Sequence, residues 1–354
     1  MDYKDLPVLR NSERSDFRRC LQRWSWRWDE HLVPIELSTG PLVFGTYGHL
    51  AVAEWYKPGD RRGPHPAETW DKITLDYMDA VKSEITGYVD DDVEMNWTDA
   101  RTLGHNMLVN YVEEYGNDDQ WTVLWTEHPF EQSIPNPRDL AKVAAGGMNK
   151  SQIRALAKYV GTLDLIVRDH SVNGRIRYVD HKFMKAIRTG HLTLDSHNGG
   201  YLAIGTHQLR NLGLIGPKES VRDLIYNFLR KANLPDKQRN SFGEWLNKDG
   251  SVSKVQPSPF FVRYPVTKTA AERNSQIMHI GDELLAMKAY RTGKLPLFKN
   301  PTPDCTWDCS YFDLCSIHES GGNYEETKRM LFKKEDPYAE YASGAESPKR
   351  LRED

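Results

Sequence analysis

The stretch GTLDLIVRDHSVNGRIRYVDHKFMKA, residues 161–186, constrains the fold more than any other part of the chain. Two apolar runs of strand length flank Asn173-Gly174, a dipeptide typical of a β-hairpin turn. Each run contains an aspartate, Asp164 in the first and Asp180 in the second. Carboxylates are depleted from strands and are seldom buried without a partner. The stretch is therefore either a surface hairpin with charged pairs or part of a site that needs its carboxylates.

Alternation along a strand predicts which of these side chains share a face. Asp180 and Lys182 point to one side and His181 to the other, and Asp164 converges on Asp180 if the two strands pair. Two carboxylates and a backbone carbonyl form an oxygen site that suits Mg²⁺ or Mn²⁺. A lysine beside that site can orient or deprotonate water and offset charge on a phosphate. This set suits metal-assisted phosphodiester hydrolysis.

Asp-x-Lys alone is weak evidence, because charged residues are common and the chain holds three such Asp/Glu-x-Lys sequences. The one at 180–182 follows a β-rich run and has Gly161-x-x-Asp164 on the preceding strand. His49, on a predicted helix with small residues in its first turns, is a further candidate ligand, although a single helical histidine is more often structural. Glu127, on the strand before the hairpin, either braces the site or faces water.

The order of periodic segments predicts an α/β or α+β layered domain with a mostly covered central sheet, since helices come first and strands with an inserted helix follow. We expect helices at 13–32, 44–56, 66–87, 98–115, 201–214 and 270–293, strands at 121–134, within 161–186, at 220–231 and at 260–266, a loop at 134–152, and a disordered tail at 335–354.

Bulk composition narrows the class of protein. A net charge of −3 argues against a protein that coats nucleic acid through bulk charge, although a basic groove remains compatible with it. No apolar run reaches the ~18 residues of a membrane span, and the N-terminal MDYKDLPVLR lacks an apolar signal region. We therefore expect a cytoplasmic protein, in which structural disulfides are uncommon.

The four cysteines then call for another explanation. Cys20 lies on the first predicted helix, while Cys305, Cys309 and Cys315 cluster in PTPDCTWDCSYFDLC. Thiolates grouped in this way in a reducing compartment are typical metal ligands. A cluster held by all four would join the two ends of the chain and would be structural.

The segment RRCLQRWSWRW, residues 18–28, interleaves arginine and tryptophan. It either tracks a phosphate backbone and stacks the bases of a single strand, or its tryptophans belong to the core. Lys185 and Arg188, just after Lys182, are better placed to hold phosphates.

Three motifs occur in an order and at distances that resemble the RecB-type branch of the PD-(D/E)XK nuclease superfamily, including the CRISPR-associated RecB-like exonucleases and their phage-encoded relatives. They are Gly45-x-x-x-His49, Gly161-x-x-Asp164 and Asp180-x-Lys182. The resemblance covers roughly residues 10–320 and implies a restriction-endonuclease-like mixed sheet flanked by helices.

The resemblance also implies roles for individual residues. His49, Asp164 and Asp180 would be metal ligands, the His181 carbonyl a further ligand, and Lys182 the catalytic lysine. The family usually carries Gln-x-x-x-Tyr on the next helix. This chain has Tyr201 but His197 in place of the glutamine, so the implied DNA contacts are His197 and Tyr201, together with Lys185 and Arg188.

The cysteine layout resembles that of superfamily members with an iron–sulfur cluster, which have one cysteine before the nuclease motifs and three after. Their trio is commonly Cys-x2-Cys-x5-Cys, whereas this chain has three residues in the first interval. The resemblance implies a [4Fe–4S] cluster on Cys20, Cys305, Cys309 and Cys315, and structural Zn²⁺ on the same thiolates is the main alternative.

These expectations describe a single nuclease domain over 1–334, with a helical part at 10–118, a core at 119–295 and a cysteine-rich segment at 296–320. Its function would be Mg²⁺- or Mn²⁺-dependent DNA hydrolysis, as an exonuclease at DNA ends or on single strands. We expect a phage setting in replication, recombination or repair, with the proteins of those processes as partners, because no phosphate-loop motif of a helicase appears. The alternatives are a catalytically silent DNA-binding or assembly module and a zinc-stabilised scaffold with carboxylates on its surface.

Overall fold

A six-stranded mixed sheet forms the centre of the molecule. The computed structural model describes residues 5–35, 41–84, 91–234 and 238–339. The strands are β1 (Val8–Arg10), β2 (Leu32–Pro34), β3 (Trp121–Pro135), β4 (Ala155–Asp169), β5 (Arg175–Met184), β6 (Asp223–Arg230), β7 (Phe261–Thr267) and β8 (Phe332–Lys334). The main sheet has the order β1-β4-β5-β6-β7 with β3 also paired to β4, while β2 and β8 pair separately and join the two ends of the chain.

Helices cover both faces of the sheet. They are α1 (Asn11–Arg19), α2 (Leu21–Trp24), α3 (Pro41–Trp55), α4 (Pro66–Glu84), α5 (Asp91–Tyr115), α6 (Pro137–Ala144), α7 (Ser196–Asn211), α8 (Ala270–Arg291), α9 (Cys305–Asp308), α10 (Phe312–Glu319) and α11 (Tyr324–Leu331). One core joins Tyr178 of the sheet to α7 and α8, and the other joins Val179 to α3, α4 and α5. The predicted fold class, a mixed sheet flanked by helices, is confirmed.

Residues 161–186 form the predicted hairpin. β4 and β5 are antiparallel, with Leu165 opposite Val179 and Asp169 opposite Arg175. Asn173 and Gly174 both have positive φ, 58° and 67°, as a primed hairpin turn requires. A single 3₁₀ turn at His170–Val172 accounts for the longer connection.

The two strands of the hairpin separate immediately beyond Leu165 and Val179. Further toward its N-terminal end, β4 pairs instead with β1, at Lys158–Val160. β5 continues alongside the parallel strand β6, with Asp180 opposite Tyr226 and Lys182 opposite Phe228. We call this opening, flanked by Asp164 and Asp180, the fork.

The helix predicted at 13–32 is interrupted. Cys20 has an extended backbone, with φ −161° and ψ 120°, between α1 and α2, and a π-helical turn follows at Ser25–Asp29. Trp24, Trp26 and Trp28 are at most 2% exposed. The core alternative is therefore confirmed for the tryptophans, and their predicted stacking on bases is wrong.

Two further expectations are corrected. The predicted loop at 134–152 contains α6, capped by the Asn136 side chain, which accepts the Arg138 N–H. The first five residues of the predicted disordered tail are ordered, because the Tyr338 hydroxyl donates to Glu13 at 2.7 Å and its ring packs on Trp28. Residues 340–354 lie outside the described ranges.

Across the parts of the chain described above, no helix combines the length and apolar character that crossing a membrane requires.

Candidate functional site

Asp164 occupies the fork. Its Oδ2 atom accepts the backbone N–H of His181 at 2.9 Å. The carboxylate thus takes an amide hydrogen at the point where the β4–β5 ladder has ended. This bond ties the side chain on β4 to the backbone of β5 and orients the carboxylate toward the opening.

His49 reaches Asp164 from α3. Its Nδ1 atom lies 3.3 Å from Asp164 Oδ2 and 3.7 Å from Glu127 Oε1. The close approach of α3 depends on Gly48, where a Cβ would lie 2.8 Å from the ring of Phe183 on β5. His49, Glu127 and Asp164 offer ligand atoms that all lie within 4.8 Å of one another, so they can hold a metal ion together.

Glu127 is the third member of this group, and the sequence left its role open. It falls opposite Asp164, because the flanking β3 residues Thr126 and His128 pair with Leu165 and Leu163. Its φ is 44°, a left-handed conformation that is rare for a residue other than glycine and costs on the order of 1–2 kcal/mol. Strain of this kind concentrates at functional sites. The only signal in the sequence was an acidic residue on the strand before the hairpin.

Asp180 and Lys182 share one face of β5, as predicted. Lys182 Nζ lies 3.0 Å from Asp180 Oδ1 and 2.8 Å from Oδ2. Burial raises the pKa of Asp180, and the charge of Asp164 adds to the rise against the opposing effect of Lys182. Burial also works against the charge on Lys182, but Asp180 and Asp164 outweigh it and raise the lysine pKa. Lys182 is therefore an ammonium group at neutral pH, at the border of solvent.

The ring of His181 points to the other side of the sheet, also as predicted. Its Nδ1 atom lies 2.8 Å from Asn227 Nδ2, and the ring stacks on Tyr56. Burial first, and then the nearby charges of His49 and Arg263, hold the pKa of His181 well below its ordinary value. The neutral ring of His181 thus anchors this part of β5, while the His181 backbone N–H donates to Asp164.

His197 and Tyr201 stand on the first turns of α7, next to the Asp180–Lys182 pair. The Asp195 side chain caps the helix by accepting the His197 N–H at 2.9 Å. Burial, with a smaller effect of Lys182, lowers the pKa of His197 to about 4. Its ring meets the Tyr201 ring edge-on at 5.2 Å. The structure therefore brings a neutral histidine to the place where the resemblance implied a glutamine.

Gly161 permits the approach of Tyr201 to β4. A Cβ at that position would lie 2.8 Å from the Phe130 ring and 3.2 Å from the Tyr201 hydroxyl. The other predicted DNA contacts, Lys185 and Arg188, are exposed beyond the end of β5.

The four cysteines meet at a second place, which we call the cysteine junction. Each is partly exposed and none forms a disulfide. Burial raises the pKa of Cys315, Lys299 opposes the rise, and the thiols of Cys20, Cys309 and Cys305 add to it, so each of these three thiols lies within electrostatic reach of Cys315. No three of these thiols, all within the described ranges, come within 4.8 Å of one another.

Comparison with known proteins gives one strong match. The family model of the PD-(D/E)XK nuclease superfamily matches residues 12–316. The chain matches no curated protein. It is similar to the crystal structure of a candidate exonuclease from Eubacterium rectale, with a TM-score of 0.39 at 11% identity over 85% of this chain and 93% of that chain.

Proposed function

The chain belongs to the PD-(D/E)XK nuclease superfamily, and on that premise we propose that it hydrolyses DNA phosphodiester bonds with the help of Mg²⁺ or Mn²⁺. The observation that carries the proposal is the convergence of His49, Glu127 and Asp164 at a fork whose other side bears Asp180 and Lys182. Membership of the superfamily supports a hydrolytic nuclease, and the choice of DNA and of the metal is our inference.

The donor set suits a hard divalent cation. Three carboxylates and one imidazole offer mainly oxygen ligands, which Mg²⁺ and Mn²⁺ prefer. Burial first, and the negative charge of Asp164 in addition, raise the pKa of Asp180 against the opposing effect of Lys182, so a cation would stabilise the charged carboxylates. We propose His49, Glu127, Asp164 and Asp180 as its ligands, with the His181 carbonyl as a further one. A bound ion of this kind polarises a phosphoryl oxygen and lowers the pKa of a water molecule.

The protein's own groups have complementary roles in this proposal. Asp180 holds the Lys182 ammonium in place, and the ammonium offsets the charge that develops on the phosphate and orients the attacking water. His197, neutral at pH 7, donates a hydrogen bond to the substrate, and Tyr201 braces its ring. Lys185 and Arg188 attract the neighbouring phosphates.

At the cysteine junction we propose a structural [4Fe–4S] cluster. The layout of one cysteine before the nuclease motifs and three after them supports this proposal, because superfamily members with such a cluster share it. Such a cluster would link α1–α2 to the C-terminal segment, where Arg23 already donates to the Asp308 carbonyl. Zinc on the same thiolates is the alternative.

We further propose that the protein is a single-domain RecB-type exonuclease that acts on DNA ends or single strands in phage replication, recombination or repair. The intact set of His49, Asp164, Asp180 and Lys182 favours an enzyme over a silent DNA-binding module.

An anaerobic preparation assayed on end-labelled linear DNA and on circular DNA, with Mg²⁺ or Mn²⁺, tests the proposal. We expect degradation of linear DNA, resistance of the circle, and loss of activity in Asp180→Asn. Glu326→Gln is a matched control, because Glu326 belongs to another Asp/Glu-x-Lys sequence and lies outside the fork. Equal activity of Asp180→Asn and the wild type would overturn the mechanism, and cleavage of the circle would overturn the exonuclease assignment.

A further inference from the structure

The chain makes an excursion between β6 and β7, residues 231–260, that the proposed chemistry does not use. Two bridges fold it into a small meander, Arg239 with Trp245 and Leu246 with Val252. Five of its residues are lysine or arginine and three are acidic, in a chain whose net charge is −3. Two of those acids are engaged in turns, Glu244 with Asn240 and Asp249 with Ser251. The sequence of the excursion therefore carries an excess of two positive charges.

The excursion begins beside the catalytic strand. Lys182 lies opposite Phe228 and Met184 opposite Arg230, and the Lys231 N–H donates to the Met184 carbonyl at 2.8 Å. It returns to the sheet at β7, two strands from β5, which is a lateral distance of about 10 Å. Both ends of the excursion therefore lie at the end of the sheet that carries Asp180 and Lys182.

Phe242 stands at the tip of the first turn and is 87% exposed. The turn is held firmly, because Asn240 Oδ1 accepts the backbone N–H groups of Phe242 at 3.0 Å and Glu244 at 2.9 Å. Gly243 provides the positive φ, 79°, that the turn requires. The aromatic ring is thus presented to solvent on an ordered support.

The base of the turn is equally well ordered. Trp245 is buried, its backbone N–H donates to Gln256 Oε1 at 2.8 Å, and Arg239 covers its ring at 4.5 Å. Arg239, Lys248 and Lys254 are exposed on the same meander. An exposed aromatic ring on an ordered turn, in a segment that also carries exposed cations, matches the chemistry of a single strand, whose bases stack on aromatic rings while its phosphates meet positive charge.

We propose that residues 238–260 of the excursion bind the single-stranded part of the nucleic-acid substrate, with Phe242 stacked on a base and Arg239, Lys248 and Lys254 at its phosphates. The proposal rests on the proposed nuclease function. A single strand is favoured over a duplex because the face of a base is accessible only when the base is unstacked.

Fluorescence anisotropy tests this proposal without hydrolysis. The probes are a labelled oligothymidylate and a blunt duplex, each of about 20 nucleotides per strand, with Ca²⁺ in place of Mg²⁺ and the full chain as the protein. Phe242→Ala should weaken binding of the single strand at least about five-fold and Phe242→Trp should restore it. Duplex binding should change less than about two-fold. Phe298→Ala, another exposed phenylalanine, is the matched control and should bind like the wild type.

A salt titration tests the cationic part. Replacing Arg239, Lys248 and Lys254 together by glutamine should lower the slope of log K against log salt by about 2 for the single strand. Thermal unfolding of each variant checks that the fold is retained.

Wild-type affinity of Phe242→Ala for the oligothymidylate, or an equal loss on the duplex, would overturn the inference. Failure of the nuclease proposal is distinguishable, because it shows as an unchanged rate of DNA degradation in Asp180→Asn and leaves these binding measurements intact.

Discussion

At the fork, the carboxylates proposed as metal ligands lie on long strands whose positions are set by ladders on either side, β3 and β4 having 15 residues each. At the cysteine junction, by contrast, the thiols lie on or beside helices of four and eight residues and are partly exposed. Asp164 is fixed by a backbone hydrogen bond from a neighbouring strand, whereas the thiols are grouped without a ladder between them.

We therefore expect the fork to determine activity and the cysteine junction to determine stability. The fork would keep its shape without any ion, since the sheet alone orders it, and removing a carboxylate there relieves repulsion. The junction connects the two ends of the chain, so its thiols would contribute to stability through the cluster or zinc ion proposed there. Substitutions at the two places should therefore have opposite signatures.

The largest effect is expected for Asp180→Asn. DNA degradation should fall at least about a thousand-fold, because a proposed ligand and the partner of Lys182 are both lost. The melting temperature should stay within about 2 °C of the wild type or rise, because burial already disfavours the charged form of this carboxyl group. End-labelled DNA assays and calorimetry measure the two quantities. A large loss of stability with retained activity would reverse the roles assigned to the two regions.

Cys315→Ser should have the opposite signature. The proposed cluster closes the long loop between Cys20 and Cys315, so its loss should lower the free energy of unfolding by at least about 3 kcal/mol. The variant should also lose the bound metal. Iron and zinc analysis, visible absorption and chemical denaturation under anaerobic conditions measure these changes. Trp307→Ser, in the same segment and 75% exposed, is the control and should keep both metal and stability. The prediction would be contradicted if the wild-type protein contained no metal and had the same free energy of unfolding as Cys315→Ser.

The pH dependence of stability should distinguish the fork, through the neighbouring His197, from the cysteine junction. The pKa of His197 is lowered to about 4 in the folded protein, while an unfolded histidine has a pKa of about 6.5. The unfolded chain therefore takes up the proton first as the pH falls, so stability is lost between pH 6.5 and 4. The loss due to His197 should amount to roughly 2 to 3 kcal/mol.

His197→Gln isolates this contribution. The variant should remove that part of the pH dependence and keep DNA degradation within a few-fold, because glutamine can donate the same hydrogen bond. Urea denaturation at pH 7 and pH 5 measures the difference. An unchanged pH dependence in the variant would show that His197 does not titrate in this way.

The two regions also differ in how far their sequence predicted them. The shared face of Asp180 and Lys182 followed from strand alternation, which is local and needs only the strand to be recognised. The turn at Asn173-Gly174 followed from residue preference for positive φ in the same local way. Both predictions are confirmed.

What the sequence could not supply depends on distant contacts. The place of Glu127 depends on the register of β3 against β4, which shifts at an irregularity between Val123 and Trp125. The break at Cys20 interrupts a continuous helical pattern, and the preceding helix α1 is tied to α8 by the pair of Arg14 with Glu283. Neither the register nor this buried ion pair is encoded in the periodicity of a single segment.

The smallest effect concerns Glu127 and tests whether its backbone strain serves the site. Glu127→Gly should tolerate φ 44° without the cost to a side chain, so it should be about 1 kcal/mol more stable than Glu127→Gln. Both variants should bind Mn²⁺ at least about ten-fold more weakly, because each lacks the carboxylate near His49. Isothermal titration and calorimetry measure the two effects. If the glycine variant were the less stable one, the left-handed backbone would not be a strained feature held by the fork, and Glu127 would bind there at no cost to stability.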